Sequence, residues 1–413
     1  MKNDEREEKK SRLRAGMIDN DAPVKEEAKA EGEPAPRKRM SRGRKAAIAV
    51  VVLAALLLAA AAVYVFIRTN TQYTEVTVRW EKELSAESYY EYVAFGDNII
   101  QYTHDGAVYY DSSGNEIWNQ TYELDSPEAF VNGDYVVIAD IDGNTMYILN
   151  TEGYLGTAYS SLPITKASIS ATGVTAVIVE DSDGNSIYFY DKTGDQLSIE
   201  IKVTLSGNGY PLDLSISPDG MLLMVSYVYL DEGAMQNQVV FYNFDEEGQS
   251  ITDRLVGGFK DYGTSMVGRV KFLTDTYAVA FAEDRLCFYS LENTVQPELI
   301  SQIDIEDEIQ SIFYSDSYAG IITEDSEGDQ MLRVFSVKGK EVLAIDIDAA
   351  YDTAEISGDH ILLYNETTCV IYNMSGTLKY EGALSGTIEK LVCINGSKYV
   401  QTGTQVMKGI TLE

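Results

Sequence analysis

Two histidines and three cysteines are the whole supply of imidazole and thiol side chains in this 413-residue sequence. His104 precedes an Asp-Gly turn and His360 opens the apolar run ILLY (361–364), where a turn-flanking or partly packed ring is the expectation. Cys287, Cys369 and Cys393 each lie in an apolar, strand-like run with no metal-ligand spacing. They read as buried thiols, with a Cys369–Cys393 bridge as the alternative. No Gly-x-Ser-x-Gly elbow, phosphate-cradling loop or His-Glu-x-x-His pattern occurs, so any hydrolysis would fall to paired carboxylates.

Carboxylates are abundant and patterned. They recur in ADIDGNT (139–145), EDSDGNS (180–186), LDEGAMQNQ (230–238), AEDR (282–285) and TEDSEGDQ (323–330). The two Asp-x-Asp-Gly-Asn copies offer oxygen ligands of calcium-loop type: Asp140, Asp142 and Asn144, then Asp181, Asp183 and Asn185. The terminal glutamate of an EF-hand is missing, because Thr151 and Lys192 stand eleven residues beyond Asp140 and Asp181. Tight hairpin turns demand Asp-Gly and Gly-Asn on their own account, and that is the competing explanation.

These acids are positioned by a repeat. Hairpins built like SISPDGMLLMV (215–225) occur eight times, with turns at Asp97, Asp134, Gly173, Gly220, Thr276, Ser317, Asp359 and Ser397, spaced 37 to 56 residues apart. An apolar strand, a turn and another strand follow each hairpin, as in AVYYDSSGNEIW and IYFYDKTGDQL. Four short strands in roughly 40–50 residues are the signature of a propeller blade. The last unit stops after its third strand, QVMKGITLE, whereas TVRWEKEL (77–84) has no hairpin before it and aligns with EIWNQTYEL (116–124), pairing Trp80 with Trp118. An all-β, eight-bladed β-propeller over residues 74–413 is the expectation, its N-terminal strand completing the last blade; seven blades is the alternative, since the eighth signature is the faintest. The acidic stretches all join second to third strands, which puts Asp231, Glu232, Glu283, Asp284, Glu324 and Asp325 with the two Asp-Gly-Asn turns on one rim.

The SPDG turn (217–220) resembles the inner hairpin of WD-repeat and TolB-like propellers, and VYYD (108–111) resembles the end of a WD strand. GNEIW (114–118), with RW (79–80) at the matching place, is similar to the Gly-to-Trp pattern of quinoprotein-like (BamB-like) eight-bladed propellers. Quinoprotein dehydrogenases add a vicinal disulfide for their cofactor, and this chain has no adjacent cysteines. The whole arrangement resembles an uncharacterised bacterial family of single-pass, membrane-anchored propellers, a resemblance that implies no activity.

Before the repeats comes the apolar segment 46–67, 22 uncharged residues long. As a helix it rises about 33 Å, enough to span a bilayer. Arg37, Lys38, Arg39, Arg42, Arg44 and Lys45 precede it and only Arg68 directly follows, so the positive-inside rule predicts a cytoplasmic N-terminus and an extracytoplasmic propeller. A cleaved signal peptide is disfavoured by the long charged stretch in front. Residues 1–45 hold 14 Lys/Arg against 10 Asp/Glu with few large apolar side chains, the composition of a disordered tail; 68–73 is a linker.

Residues 46–413 carry 18 basic against 55 acidic side chains, a balance that repels nucleic acid. The favoured function is a non-enzymatic binding scaffold of the cell envelope, attached to the membrane through 46–67 and presenting its acidic rim to an envelope protein or glycan. A membrane-tethered glycan hydrolase and a sensor signalling to the tail are the alternatives. No cofactor is expected beyond calcium.

Overall fold

The computed structural model describes residues 42–84, 90–182, 184–204, 208–348 and 350–413, with the backbone alone at 42–49, 65, 68, 69 and 181. Among the described residues the first element is a helix, α1, Arg42–Asn70. It contains the apolar segment 46–67; its continuously described side chains run from 50 to 64, and among the described residues no helix is long and apolar enough to cross a membrane.

From Val76 onward every sheet is a four-stranded antiparallel meander, and there are eight. Blades 1 to 7 span residues 91–121, 127–159, 164–203, 210–263, 267–304, 308–347 and 353–383. Blade 8 takes three strands from 390–412 and its fourth from Val76–Glu83, which pairs antiparallel with Val406–Leu412. Eight blades and the N-terminal closing strand thus stand as the repeat count predicts, and the seven-bladed alternative falls.

First strands lie side by side around the axis in six of the eight neighbouring pairs of blades, including blades 1 and 8, and apolar clusters join blades 5 and 6 and blades 7 and 8, so the ring is closed. Position within a blade explains the composition of each strand. Second strands are covered on both faces by adjacent blades, and Tyr135–Asp140 and His360–Tyr364 are accordingly near-continuous buried runs. Fourth strands lie outermost and alternate, as in Glu116–Thr121. Eight apolar clusters among the described residues fill the eight seams, from Phe95, Ile100 and Tyr109 with Val136 and Leu149 between blades 1 and 2 onwards. The closing seam holds Ile99 and Tyr110 of blade 1 against Val392, Val400 and Met407 of blade 8.

Turn chemistry locks the blades to one another. In SPDG, Gly220 takes φ +82, Ser217 accepts the Leu222 N–H at 2.9 Å, and Asp219 accepts that of Met221 at 2.9 Å. The same turn accepts the Ala171 N–H from blade 3 on Pro218 O and donates Asp219 N–H to Asp275 of blade 5. The two tryptophans are equivalent in space as in sequence. Trp80 donates to Ser112 O at 3.2 Å and Trp118 to Asn150 O at 3.0 Å, each reaching from an outer strand to a turn of the next blade. Gly114 (φ +79) is fixed by this docking, because a Cβ there would stand 2.7 Å from the Trp80 ring. All three cysteines are buried and free, so the Cys369–Cys393 alternative falls as well. His360 is fully buried rather than partly packed, because it begins a second strand covered by blade 8.

Removing residues 1–84 takes away the closing strand and bares the edge of Val406–Leu412, so the truncated chain is expected to self-associate and to melt over a broadened, lower transition; size-exclusion chromatography and calorimetry check this. Trp80→Ala is expected to destabilise by about 2–4 kcal/mol in denaturant unfolding, less than the ~3–5 of a fully buried Trp because the residue is only partly buried.

Candidate functional site

Strands alternate in direction through each meander, so second-to-third and fourth-to-first connections share one face, and the other turns share the opposite face. The first face carries the acidic rim. Its longest hairpin among the described residues is the second-to-third hairpin of blade 4, where Leu222–Asp231 and Ala234–Asn243 pair along ten residues each. Glu232 (φ 50) and Gly233 (φ 88) form its two-residue turn, both in the left-handed region that such hairpins need. Just below the turn Leu230 pairs across to Met235, and the two are 74% and 66% exposed. Asp231 and Glu232 beside them are exposed and form no ion pair among the described residues. Tyr159, at the end of the fourth strand of blade 2, and Met266, on the connection from blade 4 to blade 5, are exposed on this face too.

The remaining rim acids are committed to varying degrees. Glu283 is exposed and accepts the Met266 N–H at 3.4 Å. Asp284 is held by Arg285 and the Ser265 hydroxyl, which bring its carboxyl down to about 2. Half-buried Glu324 accepts from Gln330, and Asp325 from the Glu327 and Asp329 N–H groups of its own turn.

Of the six residues considered as calcium ligands, Asp183 lies outside the described residues and Asp181 is described by its backbone alone. Asp140 is buried, and its Oδ1 accepts the Ser126 N–H at 2.7 Å, tying the connection that enters blade 2 to the rim turn. Asp142 (φ 65) and Asn144 are exposed beside it. Asn185 is buried, in register with Glu180 and Val203 of its sheet.

The axis holds a second polar site, which the sequence reading passed over. Six or seven residues ahead of their hairpin turns the first strands read Glu91, Glu128, Lys166, Asp213, Arg269, Gln310, Thr353 and Lys390, six charged residues in eight. That recurrence was the available signal. Asp213, almost wholly buried, accepts the Val270 N–H at 2.8 Å and lies 3.6 Å from Arg269. Burial pushes its carboxyl up, against the opposing pull of Arg269, that N–H and Lys166. Burial also lowers the Lys271 amine, 5.3 Å from the centre of the Tyr314 ring. Farther round, Lys390 pairs with Glu355, which also accepts from Tyr364, and Glu91 accepts from Tyr102 at 2.6 Å. Asp213, Glu355 and Glu91 are thus engaged as fasteners between strands and blades. Asp213→Ala strands Arg269 and the Val270 N–H, with an expected loss of about 2–4 kcal/mol in urea unfolding; the ~3–5 of a fully buried pair is discounted because Arg269 keeps 37% of its side chain exposed.

Solved structures share this fold at low identity. The Saccharomyces cerevisiae Sqt1 structure aligns with a TM-score of 0.53 and 11% identity over 83% of this chain and 98% of its own. Sqt1 of Chaetomium thermophilum, solved bound to the N-terminus of the ribosomal protein L10, aligns with a TM-score of 0.54 and 14% identity over 82% of this chain and 100% of its own. No curated protein matches the sequence. The family model described as "Family of unknown function (DUF5711)" matches residues 69–412, and the chain belongs to that family.

Proposed function

We propose that the protein is a single-pass membrane protein whose extracytoplasmic propeller, residues 74–413, binds an envelope protein through its acidic face. The observation that carries this is the exposed Leu230–Met235 pair, set beside the acids Asp231 and Glu232, which form no ion pair among the described residues, on the longest hairpin of the propeller. An apolar anchor ringed by acid fits a partner segment with a large apolar side chain flanked by Lys or Arg. The rigid ring leaves such loops free to vary without disturbing the core. Sqt1, with the same fold, was solved with a ribosomal protein segment bound, which supports protein binding over turnover. The membrane anchor rests on the 22 uncharged residues of 46–67 and on the basic cluster ahead of them, with residues 1–45 on the cytoplasmic side.

The test is cross-linking on intact cells with a membrane-impermeant, amine-reactive reagent. A discrete adduct is expected with the wild type, diminished at raised salt and lost when Asp231→Lys and Glu232→Lys are combined. An adduct that survives the double substitution overturns the rim as the binding face. Propeller lysines that stay unlabelled from outside overturn the extracytoplasmic placement.

Calcium at the rim is a subordinate proposal, supported by the exposed Asp142 and Asn144 flanking Asp140. Millimolar calcium is expected to raise the melting midpoint over that with excess chelator, by ~2.7 kcal/mol of stabilisation at a hundred times Kd. An unmoved midpoint leaves Asp140 with its duty toward Ser126 alone.

A further inference from the structure

On the face opposite the acidic rim, at the seam of blades 7 and 8, three ligand-bearing side chains meet. His360 Nδ1 stands 3.2 Å from Cys393 Sγ and 3.2 Å from Asp359 Oδ1. Among the described residues this is the one group of three His, Cys, Asp or Glu side chains whose donor atoms all fall within 4.8 Å of one another. We propose that Asp359, His360 and Cys393 form a binding site for a borderline-soft divalent cation of the zinc type.

Geometry supplies the first argument. Tetrahedral zinc holds sulfur at about 2.3 Å and nitrogen or oxygen at about 2.0–2.2 Å, which sets its ligands roughly 3.3–3.6 Å apart. Both measured separations lie within a few tenths of an ångström of that spacing. The Asp359 side chain is 81% exposed and free to turn inward, whereas the imidazole is 4% exposed and held in place by its packing. Thiolate, imidazole and carboxylate together suit zinc, and a divalent ion deprotonates a coordinating thiol outright. Three protein ligands would leave a fourth position for water or a partner's side chain.

The repeat supplies the second argument. The residue after the hairpin turn is an aromatic in blades 2, 5 and 6, namely Tyr135, Tyr277 and Tyr318, and in blade 7 it is His360. Four residues before the turn, other blades place Phe130, Ile169, Phe272 and Phe313 where blade 8 places Cys393. Polar side chains also stand at these places elsewhere, Asn98 and Lys398 after the turn in blades 1 and 8 and Glu355 four residues before it in blade 7, but each of those is partly or fully exposed, whereas His360 and Cys393 are both buried. The Cys393 N–H is fixed by Ser357 Oγ at 2.9 Å, and the His360 ring leans on Tyr399 at 5.9 Å between centroids, so both buried ligands are set by the frame.

The experiment uses the full-length chain in detergent, stripped by chelator and titrated with Co(II) as a spectroscopic probe, then with zinc. One equivalent of Co(II) is expected to give d–d bands of tetrahedral intensity and a near-ultraviolet thiolate-to-cobalt transition, both abolished by zinc. Cys393→Ser should remove the thiolate band. Asp359→Asn, at an exposed position that leaves folding intact, should weaken binding by more than the ~10–100-fold that loss of an outer-shell partner brings. Absence of a thiolate band in the wild type, or Co(II) affinity unchanged in Asp359→Asn, overturns the proposal; if Cys393→Ser does not fold, the Asp359→Asn titration decides.

Discussion

Closure of the ring is the constraint on which everything else rests. Eight sheets arranged about an axis bury their faces only if the eighth meets the first, and here the meeting is made by the first and last strands of the propeller in one sheet. Val76–Glu83 pairs with Val406–Leu412 across more than 320 residues, while Ile99 and Tyr110 pack on Val392, Val400 and Met407. Backbone hydrogen bonding and apolar burial thus act together at this one seam. Without it, blade 8 offers an open edge and blade 1 an uncovered face, each a site of aggregation.

A closed ring also sorts its own surface. Alternation of strand direction sends acidic second-to-third connections to one face and the tight first-to-second hairpins to the other. The core between blades is repeated eight times with apolar side chains, and function is to be sought where one blade breaks the pattern. Three departures stand out: the lengthened blade 4 hairpin with Leu230 and Met235 at its tip, the charged collar around the axis, and the imidazole and thiol at the seam of blades 7 and 8. The first presents a surface, the second fastens strands and blades to one another, and the third gathers ligands of mixed softness.

Most of the fold was legible because blades are local. A hairpin turn such as SPDG writes its own dihedral demands, strand alternation reveals which positions face a neighbour, and recurrence at about 43 residues converts hairpins into a count. Even the closing strand was legible, since Trp80 and Trp118 occupy equivalent places and make equivalent hydrogen bonds. The rim was legible in the same way, as a set of connections of one type. Less so was the duty of each acid: Asp140 turned out to serve the Ser126 N–H, and Asp284 to be held by Arg285 and Ser265.

The sequence by itself determined the blade count, the closing strand, the sign of charge on the rim and the apolar segment ahead of the propeller. Each is a property of consecutive residues or of a period. Tertiary structure alone decided which distant residues touch. Asp213 and Arg269 stand 56 positions apart and His360 and Cys393 33 apart, on separate blades, so no local pattern links them. The recurrence of charge on the first strands marks Asp213 and Arg269 as candidates, but which residues meet depends on the register and twist with which one sheet docks on the next, and that is fixed by packing summed over the whole ring.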